Sequence, residues 1–285
     1  MPGLPEIEVL RRDLDTEFSG QEVQEAEIRP GSGAMKVVRR HGRRREFQEL
    51  LQGARVSGVE RVGNALVLDL DNDHGLVFRL GPSARLLKRA PSERLLPGTH
   101  IVVSFAAGAQ LRLVDPKKSS EAFVAPREAQ DLSAGAASAF DPFAGSLAWT
   151  DFWGLVRSRP TTLKGLLLDD RFVAGLGDVY SDEVLFASGM RYDRPTRSVS
   201  SSDVRRLYRG LMEVLQDAVK ARGFTLGEHD FRDLYGRPGG YQNERKVFER
   251  EGGRCIRCKH AVAKTGLAGG DLGVRVTYFC PQCQT

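Results

Sequence analysis

Apolar residues at the beginning of the chain recur at the spacing of an α-helix. One face of a helix with about 3.6 residues per turn collects every apolar position of this segment. The positions are Leu4, Ile7, Leu10, Leu14 and Phe18. The pattern predicts an amphipathic helix whose first turn begins at the N-terminus itself.

Between about Arg55 and Val124 the apolar residues follow the shorter repeat of β-strands. Turn-forming residues at positions 71–73 and 107–108 separate the apolar segments. The predicted strands are residues 56–59, 65–70, 75–80, 100–105 and 110–114. Short strands joined by tight turns indicate a mostly antiparallel β-domain, so we predict a sandwich or a barrel here.

The second half of the chain has a helical pattern. Residues 133–145 are rich in Ala, Ser and Gly and are typical of a linker. The clearest helices are predicted at residues 149–157, 161–168, 177–187 and 202–222. The last of them has one apolar face, and Ser202 with Asp203 is its expected N-terminal cap. Residues 223–240 form a turn-rich connector.

Length and composition limit the class of protein. The chain has 285 residues, of which 41% are apolar, as in a globular protein with two domains and an appendage. It has no apolar run of the length that a membrane span needs, and charged residues follow Met1–Pro5 directly. We therefore expect no membrane association, no signal peptide and a cytoplasmic location, where thiols are reduced.

All four cysteines lie in the last 31 positions, as two C-x2-C pairs separated by 21 residues. Two close pairs that a hairpin brings together supply four thiolates for a closed, structural zinc site. The pattern therefore predicts one structural Zn²⁺ held by Cys255, Cys258, Cys280 and Cys283. Two disulfides, or four unrelated cysteines, remain alternatives.

The chain carries a formal net charge of +5, and its basic residues are clustered. Clustered Lys and Arg residues favour a polyanionic partner over a merely solvated surface. The clusters are Arg39–Arg40, Arg43–Arg45, Lys117–Lys118, Arg205–Arg206 and the stretch from Arg245 to Lys259.

Two further features are candidates for binding phosphates. The glycine-rich turn at Gly175–Gly177 opens a predicted helix, where backbone N–H groups and the helix dipole favour an anion. Arg275 lies five residues before Cys280 in the predicted zinc hairpin. Taken separately, the first can be an ordinary turn and the second a solvated strand residue.

Five motifs in one order along the chain are more specific than any of these features alone. They are Met1–Glu8, Leu80–Leu86, Asp115–Lys117, Gly175–Phe186 and Arg275–Gln284. The series resembles the formamidopyrimidine-DNA glycosylase/endonuclease VIII family of base-excision repair enzymes over essentially the whole chain.

The resemblance implies an α+β fold with a helix–two-turn–helix and a terminal zinc finger that together grip DNA. The implied parts are an N-terminal β-sandwich at 1–132, a linker at 133–149, the helix–two-turn–helix domain at 150–240 and the zinc finger at 241–285. The implied partner is double-stranded or damaged DNA, from which such enzymes flip a base. We expect a monomer associated with the nucleoid.

The resemblance also assigns roles to residues of this chain. Pro2, exposed by removal of Met1, would attack the sugar C1′ as a secondary amine, and β- and δ-elimination would follow. An α-amino group titrates near pH ~8, so a useful fraction is unprotonated at neutral pH. Glu6 would orient the sugar or the amine. Lys164, Gly177 of the glycine-rich turn, and Arg275 would contact DNA phosphates.

The sequence departs from the family pattern at the positions that carry out the chemistry. The family has a glutamate directly after the proline, where this chain has Gly3, and a catalytic lysine in a β-hairpin, where it has Asn64. A general acid contributes roughly 10²–10⁴ in rate, so the loss matters. Arg61 lies nearby but is not an obvious substitute, because side chains alternate along a strand.

Other departures concern the damaged duplex. At the positions where the family fills the vacated base stack, this chain has Pro82, Lys117 and Ser119, and only the positive charge of Lys117 survives. The asparagine of the glycine-rich motif is Asp178, whose carboxylate would repel a phosphate unless a cation or a proton intervenes. Asp178 could instead cap its helix.

These departures leave alternatives open. The chain is either a glycosylase/lyase that uses Pro2 and Glu6 on an unusual lesion, or a DNA-binding protein with little or no catalysis on the same scaffold. A zinc-containing module that binds RNA or protein is a third class. The sequence does not identify the lesion.

Overall fold

The structure, a computed structural model, describes residues 1–29, 33–127, 140–145, 147–227, 229–267 and 275–285. The chain divides into two compact units, one of residues 1–135 and 221–240 and one of residues 136–220 and 241–285. The predicted four-part division has different boundaries and stays a prediction. Residues 133–139 and 146 of the predicted linker lie outside the described residues.

Helix α1 (Leu4–Phe18) opens the first unit, as the spacing of its apolar residues predicts. Its five apolar positions are at most 1% exposed, so this face belongs to the core. Gly3 is the N-cap, with an extended backbone. The helix ends because Ser19 is extended and Gly20 has a φ of +80°, which favours glycine.

Eight strands form the body of the first unit. They are β1 (Val23–Ile28), β2 (Val56–Val62), β3 (Ala65–Leu70), β4 (His74–Arg79), β5 (Arg85–Arg89), β6 (Thr99–Phe105), β7 (Gln110–Val114) and β8 (Glu121–Pro126). One antiparallel sheet has the order β1-β6-β7-β5 and the other β2-β3-β4-β8. Apolar residues of both sheets share one core with α1. The arrangement is therefore a sandwich, and the prediction of an α+β fold is confirmed.

Three strands of the sandwich have no counterpart among the predicted ones. In β1 a bulge between Val23 and Glu25 breaks the alternation of buried and exposed residues, so the period-2 signal is lost. In β5 three of the five residues are basic, which hides its buried pair Leu86 and Leu87. β8 has four buried residues in succession and no alternation.

Two short helices, α2 (Ala34–Val37) and α3 (Arg44–Leu51), precede β2. Between them His41 is buried, and its Nε2 accepts a hydrogen bond from the Val124 backbone N–H of β8 at 2.9 Å. A nitrogen that accepts carries no proton. Burial lowers the pKa of His41, and Glu46 opposes this effect. His41 therefore ties the α2–α3 connection to β8 as a neutral imidazole.

Segment 221–240 completes the first unit. It contains the two-residue strands β9 (Thr225–Leu226) and β10 (His229–Asp230), which pair with each other. Arg222 donates to Asp13 of α1 and, at 2.8 Å, to Asp233. Lys88 of β5 and the Tyr235 hydroxyl donate to Glu17. Charged and polar contacts thus fasten this turn-rich segment to α1, and the ion pair of Arg85 with Asp230 fastens it to β5.

The second unit contains the remaining helices and the four cysteines. Its elements are α4 (Trp149–Arg157), α5 (Leu163–Leu167), α6 (Gly177–Ser188), α7 (Ser201–Lys220), β11 (Ala263–Leu267) and β12 (Arg275–Phe279), with 3₁₀ turns at Thr196–Ser198 and Tyr241–Asn243. The four predicted helices are present, with ends that differ by two residues at most. Gly189 ends α6 in the left-handed conformation.

The predicted cap of α7 is wrong by two residues. Ser200, not Ser202, exchanges hydrogen bonds with Asp203: the Ser200 N–H donates to the Asp203 carboxylate at 2.9 Å, and the Asp203 N–H donates to Ser200 Oγ at 3.2 Å. This reciprocal pair is a capping box. Three serines in succession make the capping position ambiguous in the sequence.

None of the helices in the described parts of the chain combines the length and the apolar character that crossing a bilayer requires.

We predict that His41 makes the protein less stable below about pH 6.5. Its pKa is lower in the folded than in the unfolded state, so the stability it contributes is present above the unfolded value of 6.5 and is lost as the pH falls through it. Thermal unfolding at about pH 7.5 and 5.5 measures the loss. The His41→Gln variant cannot titrate at this position, so its Tm should fall less between the two pH values than the Tm of the wild type. His74→Gln is the matched control, and its Tm should fall as much as that of the wild type. Equal losses of Tm in all three proteins would contradict the prediction.

Candidate functional site

The four cysteines lie together in the second unit. β11 and β12 pair antiparallel, with Leu267 opposite Arg275. Cys255 and Cys258 precede β11, and Cys280 and Cys283 follow β12, so the pairing brings the two C-x2-C segments together. Their four sulfur atoms all lie within 4.8 Å of one another.

The distances between the sulfur atoms fit a metal site and not disulfides. Sγ of Cys255 is 3.8 Å from that of Cys283, and Sγ of Cys258 is 3.4 Å from that of Cys280. A disulfide needs about 2.05 Å, so the disulfide alternative is wrong. A tetrahedral site with Zn–S bonds of about 2.3 Å has sulfur–sulfur edges of about 3.8 Å. The four residues can therefore hold a metal ion, and zinc fits them.

Buried carboxylates connect this cysteine segment to α6. The Glu183 side chain is 1% exposed and accepts the backbone N–H groups of residues 246, 247 and 248 at 2.8–2.9 Å. Burial raises the pKa of Glu183, and the three N–H donors oppose this effect. Arg257 stacks 4.4 Å above the Phe186 ring and donates to the Phe186 carbonyl. The cysteines are thus positioned by the C-terminal half of α6.

Lys164 lies in the interior of the second unit, with only 1% of its side chain exposed. Its Nζ donates to Asp182 and to Ser181 Oγ at 2.7 Å each, and to the Asp178 carbonyl at 3.2 Å. Asp182 also accepts hydrogen bonds from Thr277 and from the Tyr278 N–H. These partners use all three donors of the ammonium group. Direct contact of Lys164 with a phosphate stays a prediction; in this structure its side chain supports α6 from inside.

Asp178 lies in the first turn of α6, behind Gly177, whose φ is +61°. The predicted cap is wrong: the N-cap is Leu176, and no side chain caps the helix. The Asp178 carboxylate instead faces Arg275 Nη1 at 3.4 Å and Lys164 Nζ at 3.8 Å. The two cations that the resemblance assigns to DNA phosphates thus both face a carboxylate of the same unit.

Pro2, Gly3 and Glu6 lie at the beginning of α1 in the first unit. Pro2 is partly exposed, whereas the Glu6 side chain is buried. Glu6 Oε1 accepts the backbone N–H of Phe224 at 2.7 Å. A Cβ at Gly223 would lie 2.9 Å from Glu6 Cγ, and the φ of Gly223 is +85°, so only glycine fits beside this carboxylate.

Sequence reasoning missed the contact between Glu6 and residues 223–224. The partners are more than 200 positions apart, and no local pattern connects them. The available signal was Gly223 itself, which follows a long helix at the position where a left-handed residue is common.

Asn64 lies in a two-residue turn with Gly63 between β2 and β3. Gly63 has a φ of +55°, as the first residue of a type II′ turn requires. Asn64 Oδ1 is buried and accepts no hydrogen bond from any residue that the structure describes. An amide carries no charge, so Asn64 adds no cation to this turn.

Arg61, near Asn64 in sequence, contacts α1. Its side chain is 3% exposed and donates to Glu8 at 3.2 Å and to the Gly63 carbonyl at 3.1 Å. Burial disfavours the charged form of Glu8, but hydrogen bonds from Arg12, Arg11 and Arg61 lower its pKa overall. Arg61 is thus a buried ion-pair partner of Glu8.

Pro82 and Lys117 line one cavity of about 700 Å³ in the first unit. The Arg85 side chain beside it forms an ion pair with Asp230 of β10. Ser119 lies behind the loop that carries Pro82, where its side chain occupies the space that a Cβ at Gly81 would need. The structure thus brings Pro82 and Lys117 to one opening and assigns Ser119 a packing role.

Comparison with known proteins identifies relatives over the full length. The sequence matches the family model of the formamidopyrimidine-DNA glycosylase N-terminal domain at residues 1–122 and that of the formamidopyrimidine-DNA glycosylase H2TH domain at residues 139–229. The formamidopyrimidine-DNA glycosylase of Heliobacterium modesticaldum is 34% identical, with 100% of both chains covered. That of Thermus thermophilus is 33% identical, with 100% of this chain and 98% of the relative covered.

Solved structures agree with these relatives. The MutM (Fpg) protein of Thermus thermophilus has a TM-score of 0.81 at 31% identity, covering 99% of this chain and 98% of the other. Lactococcus lactis Fpg in complex with DNA containing an abasic site has a TM-score of 0.82 at 26% identity, covering 99% of both chains.

We predict that the protein purifies with one zinc ion per chain. Cys280→Ser should lose the metal and lower the Tm by at least ~3 °C, the shift that corresponds to about 1 kcal/mol in a chain of this size. Elemental analysis and thermal unfolding measure both effects. The control is Gln282→Ser, because Gln282 is exposed between two of the cysteines and should keep the metal. Metal-free wild-type protein whose Tm does not change with added zinc would contradict the prediction.

Proposed function

Because the chain belongs to the formamidopyrimidine-DNA glycosylase family, we propose that it removes damaged bases from double-stranded DNA and cleaves the resulting abasic site through Pro2. The observation that carries the proposal is that Pro2 directly precedes α1, whose first turn carries the buried carboxylate of Glu6. These two residues persist although the neighbouring position is Gly3.

The reaction requires a neutral amine. After removal of Met1, the Pro2 nitrogen attacks the sugar C1′; a C–N bond forms, and the base leaves with the electron pair of the broken glycosidic bond and takes up a proton. The amine loses its proton, and the C1′–O4′ bond breaks as O4′ takes up a proton, which gives an iminium. Loss of the C2′ proton converts the iminium to an enamine, whose electrons then form the C2′–C3′ double bond as the 3′ phosphate leaves with the electron pair of the C3′–O bond, so the iminium is restored. In the chain that retains Met1, burial lowers the pKa of the terminal amine, and Glu6 opposes this effect. The amine of Pro2 would occupy similar surroundings, beside the positive end of α1.

Glu6 supplies the negative charge next to this amine. Its carboxylate is fixed by the Phe224 N–H on one side and has no room to turn toward Gly223. A fixed carboxylate stabilises a developing iminium, and it can accept the proton that the attacking amine loses. Because Gly3 has no side chain, Glu6 takes a larger share of the proton transfer than its counterparts in the family.

Binding of DNA phosphates is assigned to residues of both units. In the second unit, Gly177 exposes the turn that opens α6, and Arg275 at the beginning of β12 provides the cation, with Asp178 reducing its strength. Lys164 acts indirectly, because it holds the first turn of α6 from inside. In the first unit, Lys117 at the cavity opening would enter the space left by a flipped base. A zinc ion on the four cysteines would have a structural role.

A second candidate is a DNA-binding protein without catalysis. The observation that favours it is the combined loss of titratable side chains at Gly3 and Asn64, where the family has a glutamate and a lysine. Borohydride trapping with abasic-site DNA separates the two candidates.

We predict a covalent adduct between Pro2 and abasic-site DNA. Borohydride reduces the iminium to a stable amine, so an oligonucleotide that contains an abasic site should shift the protein band on a denaturing gel. Before trapping, the intact mass of the protein is measured to establish that Met1 has been removed. Pro2→Gly, which replaces the secondary amine with a primary one, should lower the yield of adduct roughly tenfold.

The control for this trapping is the same chain with a short N-terminal extension that blocks the Pro2 nitrogen. If the blocked chain formed the adduct in the same yield as the unblocked chain, the nucleophile would be a group other than the Pro2 nitrogen. Salt-dependent binding of the oligonucleotide by processed protein, with no adduct, would reject the lyase and favour the second candidate.

We predict that Asp178→Asn strengthens DNA binding. The substitution keeps the shape of the side chain and removes the negative charge that faces Arg275 at 3.4 Å. One charge interaction of about 1 kcal/mol near a solvated surface corresponds to roughly fivefold in Kd. Fluorescence polarisation measures the Kd for a duplex that contains a tetrahydrofuran abasic analogue.

Asp217→Asn is the matched control, because it makes the same change of net charge beside Lys220 at the far end of α7. If both variants bind equally tightly, the effect comes from net charge and not from Arg275. Weaker binding by Asp178→Asn would mean that the carboxylate supports the phosphate site.

A further inference from the structure

Three arginines meet at one buried carboxylate on the second sheet of the first unit. Glu121 begins β8, and its side chain is 8% exposed. It accepts hydrogen bonds from Arg39 Nε at 3.0 Å, Arg40 Nε at 3.1 Å and Arg79 Nη1 at 3.1 Å. These four residues, the Glu121 cluster, carry three positive charges and one negative charge.

Two members of the Glu121 cluster, Arg39 and Arg40, lie in a strongly basic segment of the chain. Residues 36–49 contain six basic and two acidic side chains, a net charge of +4. Residues 245–259 carry the same net charge, in the second unit. Within the first unit, the α2–α3 connection is therefore a place to which an anion is attracted.

Packing holds the Glu121 cluster rigid before any ligand arrives. The Arg40 guanidinium stacks 3.8 Å from the centre of the Phe123 ring. The hydrogen bond between His41 and the Val124 N–H fixes the segment that carries Arg39 and Arg40 to β8. Burial disfavours the ionised Glu121 side chain, but the hydrogen bonds from Arg40 and Arg39 lower its pKa overall, so the carboxylate keeps holding its arginines.

The Glu121 cluster keeps part of its positive charge accessible to solvent. Arg39 has 68% of its side chain exposed, compared with 33% for Arg40 and 23% for Arg79. Arg39 binds Glu121 through Nε, at the inner edge of its guanidinium plane. Guanidinium groups that are fixed in this way can form paired hydrogen bonds with a phosphate at a low entropic cost.

The position of the Glu121 cluster in the sheet relates it to Asn64. Ala65 pairs with Arg79 across β3 and β4, and Arg79 pairs with Glu121 across β4 and β8. Cross-strand partners share one face of a sheet. Arg79 and Glu121 therefore lie in the row that begins with Ala65, one residue after Asn64, at the end of the sheet where the Gly63–Asn64 turn lies.

We propose that the Glu121 cluster binds a phosphate of the DNA backbone and provides, through arginines, the positive charge that Asn64 does not provide. The proposal rests on the proposed function, in which the chain binds damaged duplex DNA. The ligand is a phosphodiester of duplex DNA, contacted mainly by Arg39 and Arg40. Arg79 and Glu121 position these two side chains.

The experiment compares the salt dependence of DNA binding by the wild type and by the double variant Arg39→Ala/Arg40→Ala. The probe is a duplex with a tetrahydrofuran abasic analogue, and Kd is measured between about 50 and 200 mM salt. Each neutralised phosphate contributes about −0.9 to the slope of log K against log salt. The double variant should bind roughly tenfold more weakly at low salt, with a slope less steep by about 1.

The matched control is Arg55→Ala. Arg55 is 52% exposed, forms an ion pair with Glu22 and precedes β2, at the opposite end of that strand from the Gly63–Asn64 turn. It should leave the slope unchanged. If the alanine double variant has a reduced Tm, Arg39→Lys/Arg40→Lys replaces it. These lysines keep the charge without the paired donors, so binding should weaken by a smaller factor.

The outcomes separate this proposal from the proposed function. If the wild type binds no duplex, the proposed function fails. If the wild type binds and the double variant has the same slope and Kd, the Glu121 cluster does not contact DNA. Calorimetry with inorganic phosphate tests whether the ligand is a free phosphate. If only the wild type gives a heat of binding, while both proteins have the same salt dependence of DNA binding, the ligand is a free phosphate and the assignment to DNA is overturned.

Discussion

Two adjacent carboxylates of α6, Asp182 and Glu183, hold the second unit together. Asp182 joins Lys164 of α5 to Thr277 and Tyr278 of β12, and Glu183 gathers three consecutive backbone N–H groups ahead of the first cysteine pair. Burial raises the pKa of both carboxyl groups, and the hydrogen bonds that each receives oppose this effect. Their removal would leave buried donors without partners, which costs far more than the loss of a surface contact. The position of Arg275 and of the cysteines follows from this constraint.

Carboxylates that accept hydrogen bonds also hold the first unit together. Glu8 fixes α1 to β2 through Arg61, Asp13 and Asp233 share Arg222, and Glu6 accepts the Phe224 N–H. Most of these contacts join parts of the chain that are far apart in sequence. Buried acids therefore set the geometry around Pro2 and fasten segment 221–240 to α1. Glu6 has both a structural partner and a proposed part in the chemistry.

The sequence predicted the features that depend on local patterns. The apolar repeat of α1 and the helices of the second unit follow from periodicity, and the cysteine spacing indicates the metal site. The strands β1 and β5 were missed because a bulge and three basic residues hide their alternation. The partners of Lys164 and Arg275 were missed for a different reason. Each lies on another element, and only the fold decides whether a cation faces water, a phosphate or an internal carboxylate.

The carboxylates Asp178 in the second unit and Glu121 in the first have different effects on the arginines that they contact. Asp178 stands in front of Arg275 with 38% of its side chain exposed, so it competes with any phosphate that approaches from solvent. Glu121 is buried beneath Arg39 and Arg40, so it orients these arginines without blocking them. The same ion-pair chemistry thus weakens one cationic site and organises the other. The proposed contact of Arg39 and Arg40 with DNA would help to keep the sugar near Pro2, where effective concentration would offset part of the acid–base catalysis that Gly3 and Asn64 do not supply.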